Sequence, residues 1–137
     1  MIKKRGQVSV EYLVVVGFVT MVVIGILGVA IVFSGTIRDR IRITQIDNFA
    51  NKVISVSESV FYAGEPSKAT VFGELPEGVT DIEISENSLI VSVSTDTGQN
   101  KLMYVSKVPM QGSISPGGGT KKVSVVANED YVEISPA

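Results

Sequence analysis

The segment from Tyr12 to Phe33 contains no charged residue, and this limits the possible folds of the chain more than any other feature. The segment is about 22 residues long, and an α-helix needs about 20 residues to cross the hydrocarbon core of a bilayer. A core helix of a soluble protein is rarely so long and so uniformly apolar. The apolar region of a cleaved secretory signal is usually shorter, about 7–15 residues. We therefore predict a membrane helix that the mature protein retains.

The helical pattern continues beyond this segment but becomes one-sided. From Gly35 to about Tyr62, apolar residues recur at a spacing of three or four, as in an amphipathic helix. Gly64 and Pro66 then end the helix, because glycine accepts the left-handed cap and proline cannot continue a helix. The main apolar row consists of Ile46, Phe49, Val53, Val56 and Val60, and a second row of Ile37, Ile41, Thr44 and Asn48. We expect one helix from about residue 8 to residue 62, with its second half packed on the following domain.

After Pro66 the apolar residues alternate with polar ones, which is typical of strands. Glycine, proline, asparagine and aspartate residues separate the stretches and favour turns. The predicted strands are Lys68–Leu75, Val79–Ser85, Leu89–Thr95, Lys101–Val108, Lys121–Asn128 and Tyr131–Ser135. The predicted fold class is α+β, a long N-terminal helix followed by a small antiparallel β-sandwich or open barrel. So small a domain should pack one sheet face on the amphipathic helix to bury enough surface.

The residue types present argue against an enzyme and against a metal or cofactor site. The chain has no Cys and no His, which removes thiolate ligands, the commonest general base and the commonest transition-metal ligand. A net charge of −2 gives no electrostatic reason to expect a nucleic-acid partner. The acidic stretch 74–86 lacks the spacing of a calcium loop and is predicted to be a solvated strand face. The glycine-rich stretch 115–122 lacks the P-loop pattern and is predicted to be a hairpin loop.

The N-terminus combines a basic cluster with a carboxylate inside the apolar run. Lys3, Lys4 and Arg5 precede the run, and under the positive-inside rule they keep the N-terminus in the cytoplasm. Glu11 lies at the mouth of the membrane helix, where a charge is costly and marks a candidate functional site. Two simpler explanations stay open: the side chain reaches the headgroups, or it stabilises the positive end of the helix dipole.

The stretch "KKRGQVSVEYL" resembles the class III signal peptide of archaeal type IV pilin-like proteins. The shared pattern is a basic cluster, a glycine, and Q-x-S-x-E-Y-L at the start of the apolar segment, carried here by Arg5, Gly6, Gln7, Ser9, Glu11, Tyr12 and Leu13. The resemblance covers about 30 residues at the N-terminus, and the β-rich part is similar to such proteins only loosely. It implies that a membrane-embedded prepilin peptidase recognises Lys4, Arg5 and Gly6 and cleaves between Gly6 and Gln7. The apolar helix would remain on the mature chain.

Cleavage would also provide a partner for Glu11. It creates an α-amino group on Gln7, which lies one helical turn from Glu11 and is equally present on every neighbouring subunit. Because an unpaired carboxylate is costly in an apolar setting, pairing with a neighbour's amine would favour one axial stagger between helices. Close helix packing would be helped by Gly17, Gly28 and Gly35, which fall within about 20° of one another around a helix. Glycines are also simply common in membrane helices, so the packing role has an ordinary alternative.

These inferences divide the chain into four segments with separate expected roles. They are a cleaved leader (1–6), a membrane and filament-core helix (7–34), an amphipathic continuation (35–64) and a β-rich head (65–137). The resemblance implies a pilin, a structural subunit of an extracellular adhesive filament. Its partners would be identical or related subunits, the prepilin peptidase, and the cell membrane before assembly. The alternatives are a minor pilin that primes or caps a filament, and a membrane-anchored β-domain that binds another partner.

Overall fold

The computed structural model describes residues 2–137, with side chains from residue 6 onward. One long helix precedes all the strands, and the strands form two sheets that do not close into a barrel. The predicted α+β class is confirmed. The elements are α1 (Ile2–Ala63), β1 (Lys68–Leu75), β2 (Val79–Ser85), β3 (Ser88–Thr95), β4 (Gly98–Val105), β5 (Met110–Gly112), β6 (Gly119–Ala127) and β7 (Val132–Pro136).

The chain divides into two compact units, Met1–Arg38 and Asp39–Ala137. The division falls inside α1, so each unit contains a part of that helix. In the described part of the first unit there is helix alone, whereas the second unit contains the last helical turns and every strand. The hydrophobic core of the chain lies wholly in the second unit, since its first member along the chain is Ile46.

The strands form a four-stranded sheet in the order β1-β6-β7-β5 and a three-stranded sheet in the order β2-β3-β4. All pairs are antiparallel except β5 with β7, which are parallel. β5 was not among the predicted strands, because three residues are too few to show alternation. Gly112 ends this strand with φ +123, and a Cβ there would overlap the carbonyl oxygen of Ile134. Only glycine permits so close an approach.

Two tight turns build the three-stranded sheet. Ser85 pairs with Ser88 across the β2–β3 turn, and Thr95 pairs with Gly98 across the β3–β4 turn. The stretch 115–122 is not a hairpin loop as predicted. Residues 115–118 connect β5 to β6, which are not neighbours in the sheet, and residues 119–122 belong to β6. The connecting residues pack instead on the start of β2, where Gly117 N–H donates to Val79 O at 3.2 Å.

The core confirms the main apolar row of the second helical segment. Ile46, Phe49, Val53 and Val60 are buried, and Val56 packs partly buried against the same cluster. The second row stays outside, with Ile37 and Ile41 56% and 54% exposed and Thr44 and Asn48 also exposed. The helix therefore turns one face toward the sheets, as an amphipathic pattern predicts.

Polar contacts tie residues 39–63 of α1 to both sheets. Lys52 Nζ donates to Phe72 O on β1 at 2.7 Å, and Tyr104 on β4 donates its hydroxyl to Asp47. Glu58 Oε1 accepts the N–H of Lys107 at 3.0 Å. Burial, followed by the hydrogen bond to Asp47 and its negative charge, raises the pKa of Tyr104 well above its usual range. No pattern in the sequence predicts the pair of Tyr104 and Asp47, because the two residues meet only when β4 packs on the helix.

Candidate functional site

The apolar segment of α1 is exposed on every side. All residues from 6 to 34 are exposed, and the large apolar side chains between Val8 and Phe33 are 41–75% accessible. The most apolar window of 18 residues has a mean hydropathy of 2.9, and none of it is buried. By length and composition this segment is able to cross a membrane. So large an apolar surface requires lipid or other protein around it.

Glu11 is the one charged residue between Gly6 and Phe33. Its side chain is exposed on α1, and no salt bridge reaches it from any residue whose side chain is described. Gln7 is also exposed and lies one turn earlier on the same helix, so the two residues share a face. The helix thus presents a single carboxylate without a described cationic partner at one end of an apolar rod. Such a group needs a partner if the surroundings exclude water.

The glycines of the segment are not required by the packing of the chain on itself. A Cβ added at Gly17 or Gly28 would meet nothing within 4 Å, and neither residue has a positive φ. Gly25 is equally open. Gly35 is half-buried. Glycine lowers helix stability by about 1 kcal/mol relative to alanine. Gly17, Gly25 and Gly28 therefore destabilise the helix, and no contact within the chain requires them.

The predicted processing site lies at the beginning of the described side chains. Gly6 and Gln7 are both in α1 and both exposed. The side chains of Lys4 and Arg5, predicted to be read by the peptidase, lie outside the described residues. The predicted cleavage point therefore lies within a helix. Recognition of the leader by a peptidase stays a prediction.

A small groove of about 220 Å³ lies between α1 and β1 in the second unit. Ligand pockets usually measure about 300–1,000 Å³, so this groove is smaller than a typical ligand pocket. Its lining residues are Gln45, Asn48, Phe49, Lys52, Phe72, Gly73 and Glu74. Lys52 is already engaged with Phe72 O, and Gly73 lies directly against the ring of Phe49.

The acidic residues of stretch 74–86 are spread over several elements. Glu74 lies on β1, Glu77 in the following loop, Asp81 and Glu83 on β2, and Glu86 in the β2–β3 turn, and all are exposed. Among the residues that the structure describes, no three acidic side chains come close enough together to hold a metal ion. The residues are solvated, but only Asp81 and Glu83 share a strand, so the single strand face predicted from the sequence is wrong.

Comparisons of the chain with protein-family models, with curated proteins and with solved structures give no match in any of the three. The resemblance to type IV pilin-like proteins therefore depends on the N-terminal residues alone.

Proposed function

We propose that this chain is a pilin, the structural subunit of an extracellular type IV pilus-like filament. The observation that carries the proposal is the contrast between a fully exposed apolar helix and a second unit whose core is complete without it. The described residues 6–34 contribute nothing to the core, which begins at Ile46. A helix that no part of its own chain covers is suited to packing among lipids first and among like helices afterwards.

Assembly follows from the proposed processing after Gly6. Removal of residues 1–6 takes away three basic residues and creates a cationic amine on Gln7. That amine supplies the partner that Glu11 lacks among the described side chains. A Gln7 amine of one subunit paired with Glu11 of the next selects one axial stagger, because every other stagger leaves a carboxylate unpaired in an apolar bundle. The uncleaved chain has no such amine and would not assemble.

The exposed glycines support the same proposal. Moving a helix from lipid to a bundle of similar helices gains little hydrophobic free energy, so close van der Waals packing must supply the attraction. Gly17 and Gly28 are open, lie near one face of the helix, and serve no contact within the chain. The β-rich unit would then form the outer surface of the filament, where adhesion to other surfaces takes place.

The experiment is to determine the intact mass and N-terminal sequence of the protein in material sheared from the cell surface. The proposal predicts a chain beginning at Gln7 in that fraction. A chain that begins at Met1 and remains in the membrane would contradict processing and export together. In that case the protein would be a membrane-anchored β-domain. Detection only at trace level, alongside filaments of a related subunit, would instead indicate a minor pilin.

A further inference from the structure

Three of the four sheet edges in the second unit make at least one hydrogen bond to another part of the unit, at the strand itself or at the turn that follows it. At the β1 edge, Lys52 Nζ donates to Phe72 O at 2.7 Å. The β2 and β5 edges are held together by Met110 N–H, which donates to Glu86 O at 2.6 Å, and Gly117 N–H covers Val79 O. Natural proteins cover their sheet edges because free edges pair with other strands. The remaining edge is β4.

The backbone of β4 presents a row of free hydrogen-bonding groups. Ser94 N–H donates to Gly78 O, so the backbone groups of Ser94 point toward β2 and not toward β4. Its cross-strand partner Gln99 therefore points away from β3. The register of β3 and β4 has no irregularity, so the direction of the backbone groups alternates regularly along β4. The backbone N–H and C=O groups of Lys101, Met103 and Val105 therefore also point away from β3. Within the described chain, the backbone groups of these four residues have no partner.

The side chains along this edge match a partner strand of the same kind. Met103 and Val105 are 65% and 73% exposed on the outer face of the sheet, whereas Leu102 and Tyr104 face the core. Lys101 is the one charged residue on β4. The strand thus offers hydrogen bonds, two apolar side chains and a single positive charge.

We propose that β4 pairs antiparallel with β4 of a second copy of this chain. In the proposed register, Lys101 of one copy lies opposite Met103 of the other, and Gln99 lies opposite Val105. Each of the four residue pairs exchanges two backbone hydrogen bonds, which gives about eight in all. The two three-stranded sheets become one continuous sheet with β2 at both ends. A two-fold pair uses the β4 edge of both copies, so no free β4 edge is left and the pair does not propagate.

The charge on β4 favours this occupant over an unlike partner. In the stated register Lys101 faces Met103 and not a second Lys101, so no like charges are directly opposed. The aliphatic part of Lys101 covers apolar surface while the ammonium reaches water. A strongly acidic partner segment would find only one positive charge on the strand. A second copy provides backbone groups for all four outward-pointing residues and apolar side chains opposite Lys101 and Gln99.

The inference does not depend on the pilin proposal. A membrane protein with this β-unit would form the same pair. In a polar filament, however, the two-fold pair cannot form along the filament axis between successive subunits. There it would join two neighbouring filaments side by side.

The absence of cysteine from the chain makes disulfide trapping a direct test. Full-length protein carrying Lys101→Cys is mixed in detergent with protein carrying Met103→Cys, and formation of the mixed disulfide is followed by mass spectrometry. The matched control is Glu83→Cys, which lies exposed on the same sheet face but on the far strand. Association through α1 within a micelle accelerates all these reactions equally. The β4 pair brings the Cα atoms of positions 101 and 103 to within about 5.5 Å, a suitable separation for a disulfide, and leaves the two copies of position 83 far apart.

The mixed disulfide is expected to form at least about tenfold faster than the Glu83→Cys disulfide, because docking raises the effective concentration. Equal rates would overturn the inference. Sedimentation equilibrium of two other full-length variants provides a second measurement. Met103→Asp should weaken self-association relative to Glu83→Gln. Identical association of these two variants would also overturn it. Neither result depends on whether the chain is cleaved after Gly6.

Discussion

The two halves of α1 have the same secondary structure and opposite requirements. In residues 6–34 every side chain is exposed, whereas in residues 39–63 Ile46, Ala50 and Val53 are completely buried. The first half is apolar all round, and the second is apolar on one face. One-sided apolarity can be buried by the chain itself, but apolarity on all sides can be covered only by lipid or by other molecules. The second half therefore takes part in the folding of the β-rich unit, and the first half does not.

The largest effect is expected from Glu11→Ala in the first half. Removing one partner of an ion pair in an apolar setting costs about 3–5 kcal/mol, so the yield of sheared filaments should fall well over tenfold. Processing to a chain beginning at Gln7 should persist. The control is Thr20→Val, because Thr20 Oγ1 bonds only to Val16 O of its own helix. Filaments at normal yield from Glu11→Ala would disprove the register role.

A matched pair of isoleucines tests the comparison directly. Ile46 is fully buried and Ile24 is 64% exposed. Ile46→Ala should lower the free energy of unfolding of the β-rich unit by about 2–5 kcal/mol, because it leaves a cavity in the core. Ile24→Ala should leave that free energy unchanged. Chemical denaturation in detergent, followed by near-ultraviolet circular dichroism, measures both. Equal losses would mean that the two halves of the helix do not differ as described.

The glycine strip, which consists of Gly17, Gly28 and Gly35 on one side of α1, gives a smaller effect with an internal control. Gly28→Leu should reduce filament yield, since overpacking typically costs about 1–3 kcal/mol. Gly25 lies about 60° from Gly28 around the helix and is not part of the strip. Gly25→Leu should therefore reduce the filament yield less than Gly28→Leu does. Both positions are open within the chain, so neither variant should affect folding of the β-rich unit. If the two variants behave alike in filament recovery, the strip has no special role in packing.

The smallest effect concerns Tyr104 at alkaline pH. Because its pKa is raised in the folded state, the unfolded chain releases this proton first, from a group with an ordinary pKa of about 10. The resulting stabilisation is complete below pH 10 and is lost as pH rises from there toward the folded pKa. The free energy of unfolding should therefore fall more steeply above pH 10 in the natural chain than in Tyr104→Phe. Partial exposure keeps the difference small. Parallel curves for the two proteins would contradict this.

Local patterns predicted much of the fold correctly and failed where strand pairing, and not the alternation of side chains, decides the structure. The predicted bounds of β1 and β2 agree with the structure residue for residue. The predicted strand Lys101–Val108 is displaced, because β4 begins at Gly98. Gly98, Gln99 and Asn100 have little intrinsic strand preference, and it is pairing with β3 that extends them. The hairpin loop predicted at 115–122 is wrong for a different reason, since no local signal shows which strands are neighbours in a sheet.

The different character of the two helical halves can be predicted from the sequence, and so can the bounds of strands in strongly alternating stretches. These features depend on the period of apolar residues, which is a local property. The strand order, the pairing of Tyr104 with Asp47 and the open edge at β4 are visible only in the folded chain. The physical reason is that a sheet edge is defined by the absence of a neighbour. Whether a strand has a neighbour depends on residues far away in the chain.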